Sequence, residues 1–499
     1  MRAILGRLDA SIRRWVEGQM VIPAARAIHD QIAIVPPRHI TRYLLIAKSV
    51  AVASIITSPL WLTALFFTSP QDYSFTSSLI CVPLLAIVCA VAVVHLTQRD
   101  LYLRGLLMAG LVAHMAASSA FLWVGFHIYG GTVDAFHYWT VGVQLSEEFQ
   151  VIGWSAFHAP YWSTNLINSL CGLAALLVGD ALPTLFIAFA LVSLAGGYIF
   201  YRAFRVAFPE GDRWLFGLLV LLSPSLLFWS SFIGKDALIQ FFIALTCFGF
   251  SRLTKRPTQT GAMLCAIGLA GTWLIRAHVA SMLAMAMTFP YAVSRSRAGV
   301  AGKVVRVLLI PVLVGGTYFL VNEVISQATS LLDLKTGNST GVLQEVNTVT
   351  RNSQTGGSAF NEGTSLPVRI VESPFLLVRP FPWETHSAMA AASVVESVGW
   401  MLLCWVRRRQ ILFTLRQWRE PYTAFLLMYS AIFLITFGAA ISNFGILLRQ
   451  RIMVTPLILM IICARLKPEI QEASKQSATH RVLESRYAVP RPDSTTTRA

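Results

Sequence analysis

The chain has 499 residues, of which 55% are hydrophobic and only 13% charged, and it carries a formal net charge of +16. A soluble domain holds about 25% charged residues, so this composition excludes an ordinary soluble globular fold. In a soluble protein the positive charge would point to nucleic acid; here it falls mainly in short joints beside apolar runs, where it reads as topology signal and lipid-headgroup contact.

Residues 1–42 contain no compact apolar core ahead of a small-residue cleavage site, so they do not read as a signal peptide. Ile4, Leu8, Ile12, Trp15 and Val16 share one helical face, with Arg7 and Arg14 roughly opposite. That pattern predicts an amphipathic helix on the cytoplasmic membrane surface, ended by Pro36-Pro37. Residues 43–465 read as a multi-span membrane domain, all-α and polytopic, because apolar runs near the spanning length of roughly 20 residues recur throughout. The spans are predicted at 43–69, 76–97, 105–127, 182–201, 213–231, 237–251, 261–275, 279–294, 304–322, 388–406, 422–442 and 452–465. The run 166–178 is too short to cross and reads as an interfacial or re-entrant helix. Two outer loops are expected, at about 128–165 and 322–387. The second is rich in Ser, Thr, Asn, Gln and Gly near its start and reads as a lid or loop with a short helix near 343–349. Residues 466–499 are polar, with Pro490 and Pro492, and are expected to form a disordered cytoplasmic tail.

With the N-terminus inside, the inner joints carry Arg99/Arg104, Arg202/Arg205/Arg213, Arg252/Lys255/Arg256, Arg295/Arg297/Lys303/Arg306 and Arg407/Arg408/Arg409/Arg416/Arg419. Every inner joint is basic, so about twelve spans satisfy the positive-inside rule, with both termini cytoplasmic in a cell (inner or plasma) membrane. The seven cysteines lie in apolar segments without CxxC spacing and read as small buried hydrophobes.

A second set of ions falls on the outer face, where basic residues run against the topology bias. Intramembrane or boundary ions are costly unless paired or functional, so each is a candidate site residue. Gly130-Gly131-Thr132-Val133-Asp134-Ala135-Phe136-His137-Tyr138-Trp139 opens the first outer loop. Interfacial aromatic belts account for Tyr138 and Trp139 but not for Asp134 and His137. Lys235-Asp236 begins a span. Asp236 suits a helix N-terminus, whereas Lys235 there is unfavourable unless an anion binds. Arg276-Ala277-His278 occupies a tight turn and reads either as an interhelical ion pair or as a phosphate or sugar contact. Arg379-Pro380-Phe381-Pro382-Trp383-Glu384 is stiffened by two prolines, either as a rigid lead-in to the next span or to hold Arg379 and Trp383 against a ligand. Arg449 and Arg451 read as headgroup anchors or as ligand contacts. Guanidinium forks suit phosphate oxygens, so basic groups from separate loops beside Asp134 point to a lipid phosphate or diphosphate, with a carboxylate able to activate a hydroxyl. A metal site from His127, His137, His158 and Asp134 is the alternative for the first loop, although the spacing matches no metal motif. No Walker or dinucleotide fingerprint is present, and no cofactor is expected.

On these residues the chain resembles integral-membrane glycosyltransferases of the GT-C superfamily and the related Wzy-type polysaccharide polymerases. Asp134-Ala135-Phe136-His137-Tyr138 is similar to the acidic residue, followed by Tyr, in the first large outer loop of GT-C enzymes. Pro224-Ser225 through Trp229-Ser230-Ser231 to Lys235-Asp236, and Arg449 to Pro456, resemble patterns of bacterial envelope-polysaccharide membrane proteins. Ala135 replaces the acid of the Asp-Glu pair found in one GT-C branch, and no sizeable soluble outer domain is present, which places the chain nearer the polymerase-like members. The resemblance implies sugar transfer outside the cytoplasm from a polyprenyl-linked donor. Asp134 would act as base; Lys235, Arg276, Arg379 and Arg449 would hold the phosphate; Tyr138 and Trp383 would stack on sugars. A transporter or flippase of lipid-linked saccharide explains the spans equally well but would favour internal repeats and broken helices. A structural envelope protein leaves the outer ions unexplained.

Overall fold

A computed structural model describes residues 78–98, 100–157, 162–293, 366–385, 388–441 and 443–465, together with residue 315. The predicted N-terminal segment 1–42, the spans 43–69 and 304–322, most of the loop 322–387, His158 and all but the first turn beyond Cys463 of the C-terminal region lie outside the described residues.

The described residues form an all-helical bundle without a strand. In chain order its helices are α1 (Ser78–Leu96), α2 (Leu101–His127), α3 (Asp134–Ile152), α4 (Ser163–Val178), α5 (Leu182–Ala207), α6 (Arg213–Leu222), α7 (Pro224–Ser230) and α8 (Lys235–Lys255). They continue as α9 (Gln259–Ile275), α10 (Ala277–Val293), α11 (Leu366–Glu372), α12 (Ala388–Val406), α13 (Arg408–Arg416), α14 (Pro421–Ala440), α15 (Phe444–Arg451) and α16 (Thr455–Cys463). Helices α5 and α8 are central, packed on each other and on α2 and α9. Helix α1 is peripheral and turns Ile80, Leu84, Val88 and Val91 outward. An apolar helix with so dry an outer face suits hydrocarbon rather than water.

Among the described residues five helices (α1, α2, α5, α8 and α14) are long and apolar enough to cross a membrane, or up to seven spans if each of two bent pairs counts as one. The expected count of about twelve is therefore not supported: the predicted spans 43–69 and 304–322 lie outside the described residues, and several of the others are short. Helices α9 and α10 have 17 residues each; at 1.5 Å per residue that is about 25 Å, short of the ~30 Å hydrocarbon thickness. One predicted span is also broken: the run 213–231 divides at Ser223-Pro224 with a 41° bend. The run 452–465 holds only the 9-residue α16, which meets α15 at a 58° bend. Pro224 cannot donate to the preceding turn, which breaks the helix there. The capping is supplied from another helix: Glu396 of α12 accepts from Ser225 N at 3.0 Å and from Ser225 Oγ at 2.6 Å.

Small residues bring α8 and α9 into backbone contact. A Cβ on Gly249 would lie 2.5 Å from Cys265 N, and one on Gly268 would lie 2.5 Å from Thr246 N. Such small-residue seams let apolar helices pack without side-chain spacers. The seam fixes the end of α9 beside the start of α8, which brings Arg276 to Asp236. At the opposite end of the bundle a separate belt of ion pairs joins Arg205 to Asp100, Arg407 to Asp212 and Arg465 to Glu210.

Candidate functional site

The site lies where several helices begin. Gly130 and Gly131 take φ of 58° and 78°, a region that favours glycine, and turn the chain from α2 into α3 so that Asp134 stands at the first turn. Helices α3, α4 and α8 start from Val133, Trp162 and Gly234, none of which makes a side-chain cap hydrogen bond. Their N-terminal amides and positive dipole ends are left for another acceptor.

Asp236 is the hub. Its side chain is 1% exposed and receives Arg276 Nη2 at 2.9 Å and Arg449 Nε at 2.5 Å. Arg449 also reaches Asp134 through Nη1 at 3.0 Å, and the Asp134 side chain is 60% exposed. Arg276 Nη1 donates to Gln450 Oε1 and approaches Met453 Sδ. One guanidinium thus ties a buried carboxylate to an open one, and one carboxylate bridges two guanidiniums.

Lys235 is different. Its ammonium donates to Ser163 Oγ at 2.9 Å and Thr164 Oγ1 at 3.0 Å, with no carboxylate in ion-pair distance among the described residues. Asp134, Asp236, Arg276 and Arg449 are its charged neighbours. Two carboxylates against three cations leave one positive charge in excess, and it resides at Lys235. Thr164 also shares a side-chain hydrogen bond with Tyr138, whose phenol is pushed up by burial and then by Asp134, so it stays neutral. His278 faces Arg276 and Lys235, its Nδ1 buried and without a hydrogen-bond partner among the described residues.

The structure brings together Asp134, Tyr138, Lys235, Asp236, Arg276, His278 and Arg449. The phosphate role is redistributed within that set: Arg276 and Arg449 are already offset by Asp236 and Asp134 together, so Lys235 is the cation left to meet a ligand. Asp236 stands in the first turn of α8, as its reading at a helix N-terminus expects, with Gly234 as the cap residue, and is also the shared counter-ion. Tyr138 is buried in the helical core, so its ring does not offer a face to a sugar. His137 is exposed, 6.2 Å ring to ring from Tyr138. Arg379, Trp383 and Glu384 form a local group: Arg379 pairs with Glu384 at 3.0 Å and with Glu372 at 3.6 Å, and Trp383 stacks on Phe381. Arg451 is buried and donates to the carbonyls of Leu377 and Arg379 at 2.9 and 3.0 Å, holding that loop. Among the described residues no three His, Cys, Asp or Glu side chains are placed to hold a metal ion.

Ser163, Thr164 and Gln450 were not legible beforehand, since neutral polar side chains near helix ends are common. The one local signal for Ser163 is its positive φ of 51°, visible only in the structure.

A groove of about 1030 Å³ runs beside the cluster between α6, α7, α12 and α15. Leu219, Phe228, Trp400 and Leu403 line it, and Val395 and Leu402 open outward. It reaches Tyr129, next to the Gly130 turn, and Leu448, next to Arg449. Glu396 is the carboxylate within it, held by Ser225 and by Trp400 Nε1 at 3.3 Å. No family model, curated protein or solved structure matches this chain.

Proposed function

We propose that this protein is a membrane glycosyltransferase or polysaccharide polymerase that uses a polyprenyl-phosphate- or diphosphate-linked sugar donor on the extracytoplasmic side, in cell-envelope or exopolysaccharide biosynthesis. The observation that carries the reading is an exposed carboxylate, Asp134, and an ammonium with no carboxylate partner among the described residues, Lys235, in a cluster whose Arg449 follows the groove-lining Leu448. A lipid-linked phosphate needs both surroundings at once: an apolar channel for its chain and a positive, hydrogen-bonding site for its head. The arginine-rich opposite end is then cytoplasmic.

In this reading the acceptor hydroxyl loses its proton to Asp134 as its oxygen bonds to the anomeric carbon. The bond from that carbon to the phosphate oxygen breaks, and its electron pair leaves with the phosphate. Lys235 and the uncapped amides of α4 and α8 stabilise the charge that grows there. Arg449 positions Asp134 through its Asp236 anchor. His137 and Trp383 are exposed and available to sugar, while Tyr138 supports Thr164 from behind.

One observation favours a second reading, a transporter or flippase of lipid-linked saccharide. The two bent helix pairs, at 41° and 58°, are the discontinuous helices such proteins use at their binding sites. A reconstituted-vesicle assay separates the two. With a polyprenyl-phospho-sugar donor and a saccharide acceptor, the wild type forms a new glycosidic bond, and Asp134→Asn lowers that rate by roughly 10²–10⁴-fold. Movement of the lipid between leaflets without bond formation assigns the second reading. Transfer by Asp134→Asn at the wild-type rate removes Asp134 from the role of base.

A further inference from the structure

The opposite end of the bundle holds a helix whose polarity is inside out. Along α13, Gln410 and Thr414 are buried, while Arg408, Arg409, Leu412, Phe413, Leu415 and Arg416 are exposed. A helix on a water-soluble surface does the reverse, turning its apolar stripe to the core. The buried polar side packs on α16 and is anchored at its start by Arg407, which is 3% exposed and reaches Asp212 at 2.5 Å. The outward leucines and phenylalanine are therefore not an error of register: a polar anchor holds them outward.

The charges on this face are unbalanced as well. Between Glu396 and Glu420 the sequence has no acid and five arginines. Arg407 is consumed by Asp212; among the described residues Arg408, Arg409, Arg416 and Arg419 have no carboxylate partner. Two of these guanidiniums lie over neighbouring indoles, Arg408 over Trp405 at 4.4 Å and Arg419 over Trp418 at 5.0 Å. Both indoles are exposed, at 66% and 41%. Exposed Leu and Phe, flanking Trp and unpaired Arg on one short helix fit one environment: the boundary between acyl chains and headgroups. The excess positive charge selects the headgroup, since unpaired guanidiniums bind phosphate by fork geometry and are drawn to anionic leaflets.

We propose that α13 and its flanking tryptophans form a binding surface for anionic phospholipid headgroups, with the helix lying in the interface of one leaflet. This assignment is independent of the transfer chemistry at the other end of the bundle.

The test uses the full chain in nanodiscs of phosphatidylcholine with or without about one third phosphatidylglycerol. Each of Arg409→Gln and Arg416→Gln is expected to lower retention of phosphatidylglycerol about fivefold at low salt, the equivalent of ~1 kcal/mol per surface arginine, with less effect at high salt. Trp405 and Trp418 fluorescence, read as the difference from Trp→Phe variants, should be quenched by lipids brominated near the headgroup. A Leu412→Ser/Phe413→Ser variant should lose that quenching while Arg407 and Asp212 keep the helix in place. Unchanged lipid preference in the Arg409→Gln/Arg416→Gln double variant would overturn the proposal. So would a shift in oligomeric state with lipid retention unaltered, which would assign the face to a second copy of the chain.

Discussion

Replacing Asp236 by Asn tests the logic of the charged cluster more sharply than any change to the exposed acid. The substitution keeps volume and one acceptor oxygen but removes the buried charge that Arg276 and Arg449 share. Breaking one buried ion pair costs about 3–5 kcal/mol, because the surviving partner is left as an uncompensated buried charge. Here one carboxylate serves two guanidiniums, one of them on a side chain only 10% exposed, so the upper part of that range applies. At about 2 °C per kcal/mol for a large chain, the apparent Tm falls by roughly 8–10 °C. Asp134→Asn is the internal control. Its pair with Arg449 is open to solvent on the acid's side, so the loss is about 1 kcal/mol or less and the melting point moves by ~2 °C. The assay is thermal unfolding of detergent-solubilised protein followed by tryptophan fluorescence, with Asp236→Asn/Arg449→Gln as the double variant. The double should cost less than the sum of its singles, because removing the cation relieves the burial penalty. If Asp236→Asn melted no lower than Asp134→Asn, Asp236 would not be the buried hub and the assignment of Asp134 as the exposed, reactive acid would fall with it.

Two further outcomes follow from other contacts. Lys235→Ala should weaken binding of a polyprenyl phosphate by roughly 10–150-fold, the worth of one charge-assisted hydrogen bond, with the melting point nearly unchanged; titration of the lipid phosphate measures it. Gly268→Ala should destabilise the bundle by about 1–3 kcal/mol, since the added methyl meets the backbone of Thr246 and Phe242 as well as the Thr246 hydroxyl, which is itself bonded to Phe242 O; thermal unfolding measures it.

How much of this was readable beforehand depends on what hydropathy and charge report. The start of α8 at Lys235 and the apolar helices α2, α5 and α14 followed from uninterrupted apolar runs between basic joints. The count of crossings did not, because hydropathy sums apolar residues without seeing where the hydrogen-bond ladder stops. Ser223-Pro224 is as apolar in its flanks as any continuous helix. The ions of the site were legible because charge is scarce in such a sequence and therefore conspicuous. Their partition was not: whether Arg449 meets a ligand or Asp236 depends on the contact between α8 and α15, which are 213 positions apart in the chain. Ser163 and Thr164 gave no signal, being two hydroxyls among many.

Helix α15 has a consequence for how this end of the protein tolerates change. Its last three side chains, Arg449, Gln450 and Arg451, fan out to three separate bodies: the Asp134 and Asp236 carboxylates, Arg276, and the carbonyls of the 377–379 loop. Successive helical residues are about 100° apart, so the three contacts form a key with one working rotation. A single-residue insertion or deletion anywhere in α15 would turn the whole key and release all three bodies together. Point substitutions would release them one at a time. The same arrangement makes the loop that holds Trp383 and the acid at Asp134 parts of one lever, since Arg451 and Arg449 share the same two turns of helix.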